Sequence, residues 1–167
     1  MTRVLLINAP LINNPIAHRS TYFPLAMLSI ATLCKREGVE ATVLDAGNYF
    51  VQKGWGLPEL SNYYETTIKD HIHELQPDII GIGAVFSGAF SSLREMAKDI
   101  KKDFPSIPIV IGGIHATIFA REILEQYKHV DFVIVGEGEN SFLQLVKCLR
   151  FGHSVDNIDG LAYRQSG

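Results

Sequence analysis

Residues 77–85 decide the fold class, because Pro-Asp-Ile-Ile-Gly-Ile-Gly-Ala-Val is typical of a turn followed by a strand that is buried on both faces. After this run, Ser87 and Gly88 turn the chain into a segment whose pattern predicts a helix as far as about Phe104. A fully covered strand followed by a helix is the repeating unit of a parallel sheet. In a parallel sheet, the same unit is expected on both sides of this strand.

The same unit occurs four more times. The other predicted strands are 4–7, 41–44, 109–111 and 132–135, and the other predicted helices are 24–37, 61–75, 117–127 and 140–151, while 46–58 is predicted to be a loop rich in glycine and aromatic residues. Five strands that alternate with five helices predict a doubly wound α/β domain with helices on both faces of a parallel sheet. We expect the flavodoxin-like order 2-1-3-4-5, with 160–164 as a possible short extra edge strand.

Composition narrows the class of function. The 167 residues are 47% hydrophobic and 20% charged, and 15 Lys and Arg against 18 Asp and Glu give a net charge of −3. There is no basic excess to favour nucleic acid and no apolar run approaching the roughly 18 residues of a membrane span, so we expect a cytoplasmic protein that binds neither nucleic acid nor a membrane. Cys34 and Cys148 are far apart in sequence and are expected to be reduced thiols.

The unusual residues collect at one edge of the predicted sheet. In open α/β sheets, ligands bind outside the carboxyl ends of the strands, near the switch in strand order. The loops predicted at that edge contain Asn8-Ala9-Pro10, Phe86-Ser87-Gly88, Gly112-Gly113-Ile114-His115 and Gly136-Glu137-Gly138-Glu139. The loops at the opposite edge are plainer, and this asymmetry predicts a ligand site at the carboxyl edge.

The glycines at this edge leave two interpretations open. Gly112 and Gly113 suit either a tight turn or the close approach of a bulky flat ligand to the backbone. Gly81 and Gly83 share one face of the central strand, which indicates either a tightly packed helix or a groove for a slender ligand tail. Glu137 suits a role at a ligand or domain interface, as well as an ordinary surface position.

Several common sites are not supported by the motifs. Gly136-Glu137-Gly138-Glu139 has no following Lys-Ser or Lys-Thr and does not complete G-x-G-x-x-G, and no Ser/Thr-rich phosphate loop for a flavin follows the first strand. No phosphoacceptor Asp follows the third strand, which disfavours a receiver domain. Among the six histidines we place His115 at the site, and His18 within reach of it, but we predict no metal ligand.

Several segments in order carry a resemblance to a known family. They are 4–10, Pro24-Leu25-Ala26-Met27-Leu28, 77–82, 109–117 with its Gly-Gly-Ile-His-Ala-Thr, 131–139 with its Gly-Glu-Gly-Glu, and 160–164. Together they make nearly the whole chain resemble the N-terminal cobalamin-binding domain of cobalamin-dependent radical S-adenosylmethionine enzymes. Many members of that family are methyltransferases or ring-forming enzymes.

The resemblance implies where cobalamin would bind. Its nucleotide tail would lie beside the third strand and its corrin on the strand-end loops, with contacts from Ala9, Pro10, Gly83, Phe86, Ser87, Gly88, Gly112, Gly113, Ile114, His115, Gly136, Glu137 and Gly138. Methionine-synthase-type domains carry D-x-H-x-x-G after the first strand, whereas residues 8–13 are Asn-Ala-Pro-Leu-Ile-Asn. The resemblance therefore implies base-off cobalamin without that histidine as a lower ligand.

The resemblance also implies that this chain is one part of an enzyme. The family's radical domain has a C-x-x-x-C-x-x-C motif, which the two cysteines here do not form. We expect a cobalamin-binding domain at 1–153, a linker beginning at 154–167, and a downstream radical domain that holds S-adenosylmethionine and a [4Fe-4S] cluster. No catalytic residue is expected in the chain itself.

The alternative to a cobalamin-binding domain is a docking or regulatory domain without a cofactor, suggested by the aromatic residues Tyr49, Phe50, Trp55, Tyr63 and Tyr64. A nucleotide- or flavin-binding protein of the same fold is a third hypothesis.

Overall fold

The structure is a computed structural model that describes residues 1–12 and 23–165. Its six strands are β1 (Arg3–Asn8), β2 (Glu40–Asp45), β3 (Ile79–Ala84), β4 (Ile109–Gly113), β5 (Phe132–Ile134) and β6 (Leu161–Tyr163). They form one sheet in the order β2-β1-β3-β4-β5-β6. The first five are parallel and β6 pairs antiparallel with β5. The predicted doubly wound α/β class, the order of the parallel strands and the extra edge strand are confirmed.

Helices cover both faces of the sheet. They are α1 (Leu25–Arg36), α2 (Ala46–Lys53), α3 (Leu60–Tyr63), α4 (Lys69–Leu75), α5 (Phe90–Asp103), α6 (Ile114–Ile118), α7 (Ala120–Gln126) and α8 (Glu139–Phe151), with short 3-10 turns at Leu57–Glu59 and Ser87–Ala89 and a π turn at Tyr64–Ile68. Helices α1 and α8 share one hydrophobic core with one face of the sheet. The other helices pack in a second core on the opposite face.

Residues 46–58 differ from the predicted loop, because their first half is α2. The Asp45 side chain accepts a hydrogen bond from the backbone N–H of Asn48 at 3.1 Å and so caps the new helix. Gly54 ends it in the left-handed conformation, with φ of 64°. Gly47, Tyr49 and Phe50, which suggested a loop, therefore belong to a short helix, and Gly54 is its C-cap.

The predicted helix over 117–127 also differs, since two helices occupy this region. Helix α6 begins directly after β4, and Phe119 separates it from α7 with φ of −114°. Because α6 begins at Ile114, without a loop after β4, the helical backbone lies directly over the edge of the sheet. Residues 114–118 therefore stay close to the carboxyl end of the strand, where a ligand site was predicted.

The aromatic segment packs over the second core. Tyr63 and Phe50 are 1% and 2% exposed, and their rings meet edge to face with centroids 5.1 Å apart. Trp55 packs against Phe50 at 5.6 Å. Most of this aromatic area is thus used inside the domain, and it does not form the exposed surface that the docking hypothesis requires.

Candidate functional site

A groove opens at the carboxyl edge of the sheet, on the face covered by α1 and α8. Its cavity measures about 430 Å³, which is in the range of small-molecule sites. Its walls are Leu6, Asn8, Pro24, Ala26, Met27, Ile30, Gly81, Ile82, Gly83, Ala84, Val85, Val110, Ile111, Gly112, Gly113, Ile114, Thr117, Ile134, Gly136, Glu137, Gly138, Glu139 and Phe142. Seven residues of the predicted set line it: Gly83, Gly112, Gly113, Ile114, Gly136, Glu137 and Gly138.

The two glycines of β3 have different neighbours. A Cβ added at Gly81 would lie 2.8 Å from Leu6 Cδ2 and 2.9 Å from Phe142 Cε2, both in buried core side chains. A Cβ added at Gly83 would meet only Met27, colliding with its terminal Cε and lying 3.4 Å from its Sδ. The groove is therefore closed at Gly81 by packed core and bounded at Gly83 by the end of a flexible side chain.

Gly112 keeps the neighbouring strand open. It is the register partner of Gly83, and a Cβ added there would have Ile134 Cβ as its nearest neighbour, at 4.0 Å. The absent side chain of Gly112 thus leaves open space over β4, whereas the space over Gly83 on β3 is filled by the end of Met27. This arrangement favours the groove interpretation at Gly83 and the close-packing interpretation at Gly81.

Backbone turns hold the mouth of the groove. Gly113 has φ of 113°, and a Cβ there would collide with the carbonyl oxygen of Ala84, so a side chain is excluded at this position. Gly136 has φ of 83°, and its N–H donates to the Thr117 hydroxyl oxygen at 3.0 Å. This bond connects the loop after β5 with α6. The mouth is therefore fixed between β4 and β5.

Two carboxylates stand at the same mouth. Glu137 is exposed, Glu139 is partly exposed and begins α8, and Gly138 precedes that helix. A negative charge at a helix N-terminus is favourable in itself, which accounts for Glu139 without a ligand. Because both carboxylates lie at the entrance, the groove is polar at its rim and apolar in depth.

Ala9 and Pro10 reach the site indirectly. The Ala9 N–H donates to the carbonyl oxygen of Gly83 at 2.8 Å, which extends the pairing of β1 with β3. The Pro10 carbonyl accepts a hydrogen bond from the hydroxyl of buried Ser92 on α5. Neither residue lines the cavity, and their direct contact with a cofactor stays a prediction.

Phe86, Ser87 and Gly88 form an exposed rim beside the groove. A Cβ at Gly88 would lie 2.8 Å from Leu11 Cδ1, so the absence of a side chain lets the first loop approach closely. These three residues do not line the cavity. They are placed to contact a ligand that extends over the edge of the sheet, and that role stays a prediction.

The side chain of His115 lies on the opposite face of the sheet. Its ring stacks on Phe90 with centroids 4.2 Å apart and contacts Phe119 at 4.7 Å. Within the described part of the chain its Nδ1 has no hydrogen-bond partner, and burial lowers the pKa of the ring. His115 is thus near the site through its backbone, while its ring is packed away from the groove.

The groove includes residues that the sequence motifs did not single out as ligand contacts. Met27 and Ile30 come from α1, Phe142 from α8, and Ile134 from β5. Met27 and Ile134 had a sequence signal, because they lie in the Pro24–Leu28 and 131–139 segments that contribute to the family resemblance. The others are ordinary apolar positions whose place in the wall depends on how the helices cross the sheet.

Residues 1–12 and 23–165 contain neither a metal-binding cluster nor a membrane-spanning helix. No cluster of three or more His, Cys, Asp or Glu in these ranges is arranged to hold a metal ion. No helix there is both long and apolar enough to cross a bilayer. Asn13 and His18, which precede the first predicted helix, lie outside the described residues.

Comparisons with known proteins agree with this geometry. The chain is 31% identical over 169 residues to cytidylyl-2-hydroxyethylphosphonate methyltransferase from Streptomyces wedmorensis, an alignment that covers 97% of the chain and 31% of that protein. It superposes on the radical S-adenosylmethionine methyltransferase TsrM from Kitasatospora setae with a TM-score of 0.77 and 20% identity, covering 99% of the chain and 29% of that structure. The cobalamin-dependent S-adenosylmethionine radical enzyme OxsB with aqua-cobalamin gives a TM-score of 0.71 and 20% identity over 99% of the chain and 21% of that structure.

The chain therefore spans less than a third of each of these three proteins. The structural matches, at 20% identity, establish the fold. The family profile for the B12 binding domain matches residues 17–146, which is most of the chain. The predicted resemblance to the cobalamin-binding domain of cobalamin-dependent radical S-adenosylmethionine enzymes is confirmed, and the chain belongs to the B12-binding domain family.

Proposed function

We propose that this chain is the part of a methyltransferase-like radical S-adenosylmethionine enzyme that holds base-off cobalamin without a histidine lower ligand. The observation that carries the proposal is the glycine-floored groove at the carboxyl edge, with its cavity of about 430 Å³. Bound cobalamin would supply a cobalt centre able to carry a methyl group. The chain's own residues would bind and orient the cofactor.

The shape of the groove suits the two parts of cobalamin. Its depth, floored by Gly83 and Gly112, would take a flat base on a narrow tail once the Met27 side chain moves from its place over Gly83. The rim presents exposed apolar side chains that suit the face of a corrin: Val85, Phe86 and Ile114 are 49%, 41% and 57% exposed. Exposed apolar residues grouped around a cavity are typical of a binding surface.

The proposed absence of a histidine ligand is supported by where the described histidines lie. None of the five among the described residues, His71, His73, His115, His129 and His153, lines the groove. The ring of His115, the one nearest in sequence to a groove glycine, packs between Phe90 and Phe119. Asn8 and Ala9 stand where the histidine motif of methionine-synthase-type domains would begin.

The two alternatives have less support. A docking domain without a cofactor predicts an occluded groove beside Gly83 and Gly112, whereas Met27 bounds this space only with a flexible side chain. The aromatic residues that suggested docking pack largely in the second core. A nucleotide- or flavin-binding function has no phosphate loop to support it.

Titration of the purified chain with hydroxocobalamin tests the proposal. We expect a visible spectrum of bound corrinoid that persists through gel filtration. After reduction to cob(II)alamin, the electron paramagnetic resonance lines should lack nitrogen superhyperfine splitting, because neither the cofactor's own base nor a histidine would coordinate cobalt. Failure to retain any corrinoid contradicts the function, and nitrogen splitting contradicts the proposed coordination.

His18 supplies the matched control for that experiment. It lies outside the described residues and is the histidine that the first loop would bring to the site. His18→Ala should leave both the affinity and the spectrum of bound cob(II)alamin unchanged. If the wild type shows nitrogen splitting that His18→Ala removes, His18 is a lower ligand and the histidine-free coordination is wrong.

The proposal extends beyond this chain. S-adenosylmethionine and a [4Fe-4S] cluster would be held by a radical domain that follows in the same polypeptide, and three closely spaced cysteines encoded there would support this part. The division at 153/154 stays a prediction, and β6 joins the sheet across it. A cytoplasmic location is part of the same proposal, since both Cys34 and Cys148 are free thiols.

A further inference from the structure

We propose that the groove selects corrinoids by the polarity of the base on their nucleotide tail, and that Met27 is the side chain that meets this base. A benzimidazole-type base would be favoured over a purine. The inference rests on the proposed function, because it concerns the same groove. It adds a chemical class of ligand that the groove accepts and one that it disfavours.

The lower part of the groove is apolar. Its side chains are Leu6, Met27, Ile30, Val110, Ile134 and Phe142. Apart from Met27, which is partly buried, each is between 1% and 6% exposed. A thioether sulfur is the one heteroatom in this set, and it is only a weak acceptor. A base that enters this space meets hydrocarbon on its edges and faces.

Several polar groups around the lower groove make hydrogen bonds within the protein. Strand β3 lies between β1 and β4, so the backbone groups of Gly81 and Gly83 pair within the sheet. The Asn8 amide donates to the Asp45 carboxylate at 2.8 Å. The Thr117 hydroxyl accepts from Gly136 at the mouth, where Glu137 and Glu139 also lie. Among the described residues, the groups just named make hydrogen bonds within the protein, so a polar base on the floor meets mostly hydrocarbon.

Met27 is the residue that an incoming base would have to meet. Its terminal methyl lies over Gly83 and its Sδ is 3.4 Å from the position of a Cβ there. An unbranched thioether side chain changes rotamer readily and makes favourable contacts with aromatic rings. Met27 is therefore suited to swing aside and then pack against a flat ring.

The two kinds of base differ in the desolvation free energy that they lose when they are buried in the groove. The six-membered ring of dimethylbenzimidazole is hydrocarbon with two methyl groups, whereas that of adenine has two ring nitrogens and an exocyclic amine. A buried donor or acceptor without a partner keeps its full desolvation penalty, whereas the methyl groups gain from burial. We expect the purine form to be disfavoured by about tenfold, which corresponds to about 1.4 kcal/mol.

The experiment compares three corrinoids with wild-type chain and two variants. The ligands are cobalamin, the cobamide with adenine in place of dimethylbenzimidazole, and cobinamide, which lacks the tail. The variants are Met27→Leu, which keeps an apolar side chain, and Met27→Gln, which has similar length but a polar amide. Dissociation constants are measured by tryptophan fluorescence or visible absorbance.

The deciding quantity is the ratio of the adenine-cobamide constant to the cobalamin constant. The free-energy cost of detaching each base from cobalt belongs to the free ligand. It therefore contributes equally to the ratio in every variant and cancels when two variants are compared. We expect the ratio in Met27→Leu to stay near the wild-type value and the ratio in Met27→Gln to fall by roughly threefold or more, because the amide supplies a partner for the purine. Cobinamide affinity should be the same in all three proteins.

The outcomes separate this inference from the proposed function. Equal ratios in Met27→Leu and Met27→Gln overturn the inference, and so does wild-type binding of all three corrinoids with one affinity. Absence of binding by all three overturns the proposed function itself. Should Met27→Gln fail to fold, Val110→Thr adds a hydroxyl to the floor instead, with Val110→Ala as its apolar control, and the same fall in the ratio is expected.

Discussion

Gly81 and Gly83 lie two residues apart on one face of β3, but the side chains that pack over them differ. Gly81 lies under the rings and methyl groups of Phe142 and Leu6, where the core is filled. Gly83 lies under the end of Met27 in a groove that opens at the sheet edge. A missing side chain therefore serves tight helix packing at one position and leaves ligand space at the other. What distinguishes the two is the rigidity of the neighbour.

The largest expected effect comes from adding a methyl group at the closed position. Gly81→Ala should lower the free energy of unfolding by about 1–3 kcal/mol, because the new Cβ overpacks Leu6 and Phe142. Gly83→Ala is the matched control and should lower it by less than about 1 kcal/mol, since the Met27 side chain can rotate away. Urea denaturation of both variants measures the difference. Equal losses would show that Met27 is held as firmly as the core.

A smaller effect is expected at the open floor. Gly112→Ala should leave stability nearly unchanged, because the nearest atom to its Cβ is 4.0 Å away. The methyl group takes up space in the groove, so cobalamin affinity should fall by about three- to tenfold, or about 0.7–1.4 kcal/mol. Titration with cobalamin gives this change, and cobinamide, which has no tail to place there, is the control ligand. A matching loss of cobinamide affinity would mean that the tail does not lie over Gly112.

The smallest expected effect concerns the face opposite the groove. Burial lowers the pKa of His115, so the unfolded chain takes up a proton more readily than the folded one. The stability of the wild type should therefore decrease as the pH falls below about 6.5, the usual value for an unfolded histidine. His115→Gln should flatten this decrease, as measured by urea denaturation at several pH values.

His129 provides the internal control for that measurement. Burial also lowers its pKa, so it retains part of the pH dependence in the single variant. The double variant His115→Gln/His129→Gln should be flatter than either single one. An unchanged slope in His115→Gln would mean that its ring, stacked on Phe90, titrates alike in the folded and unfolded states.

The architecture was predictable because it depends on patterns that many residues share. The apolar runs of β1, β3, β4 and β5 are separated by helical segments, which predicts a parallel sheet. The switch between β1 and β3 then places the strand-end loops together. Helix α2 was missed because the Asp45 cap that begins it depends on one side-chain hydrogen bond, in a segment whose glycines resemble a loop.

The walls of the groove were harder to predict than its floor. Glycines at strand ends carry a visible signal, and Gly83 and Gly112 do line the cavity. Met27, Ile134 and Phe142 are apolar residues whose spacing fits any buried position. Nothing in that spacing predicts that their side chains face the groove. His115 follows the glycine turn in sequence, but the immediate start of α6 directs its ring toward Phe90.

The hydrogen bond between Gly136 and Thr117 makes the entrance asymmetric. It ties the β4 and β5 sides of the mouth together, while the facing wall is the first turn of α1. That turn begins at Pro24 with no side-chain cap, and Leu25 is 69% exposed. The first turn of a helix is bonded within the helix on its carbonyl side only, so it is less firmly held than the strands of a sheet. A large ligand that enters the groove would therefore displace the first turn of α1 more readily than the β4–β5 side of the mouth.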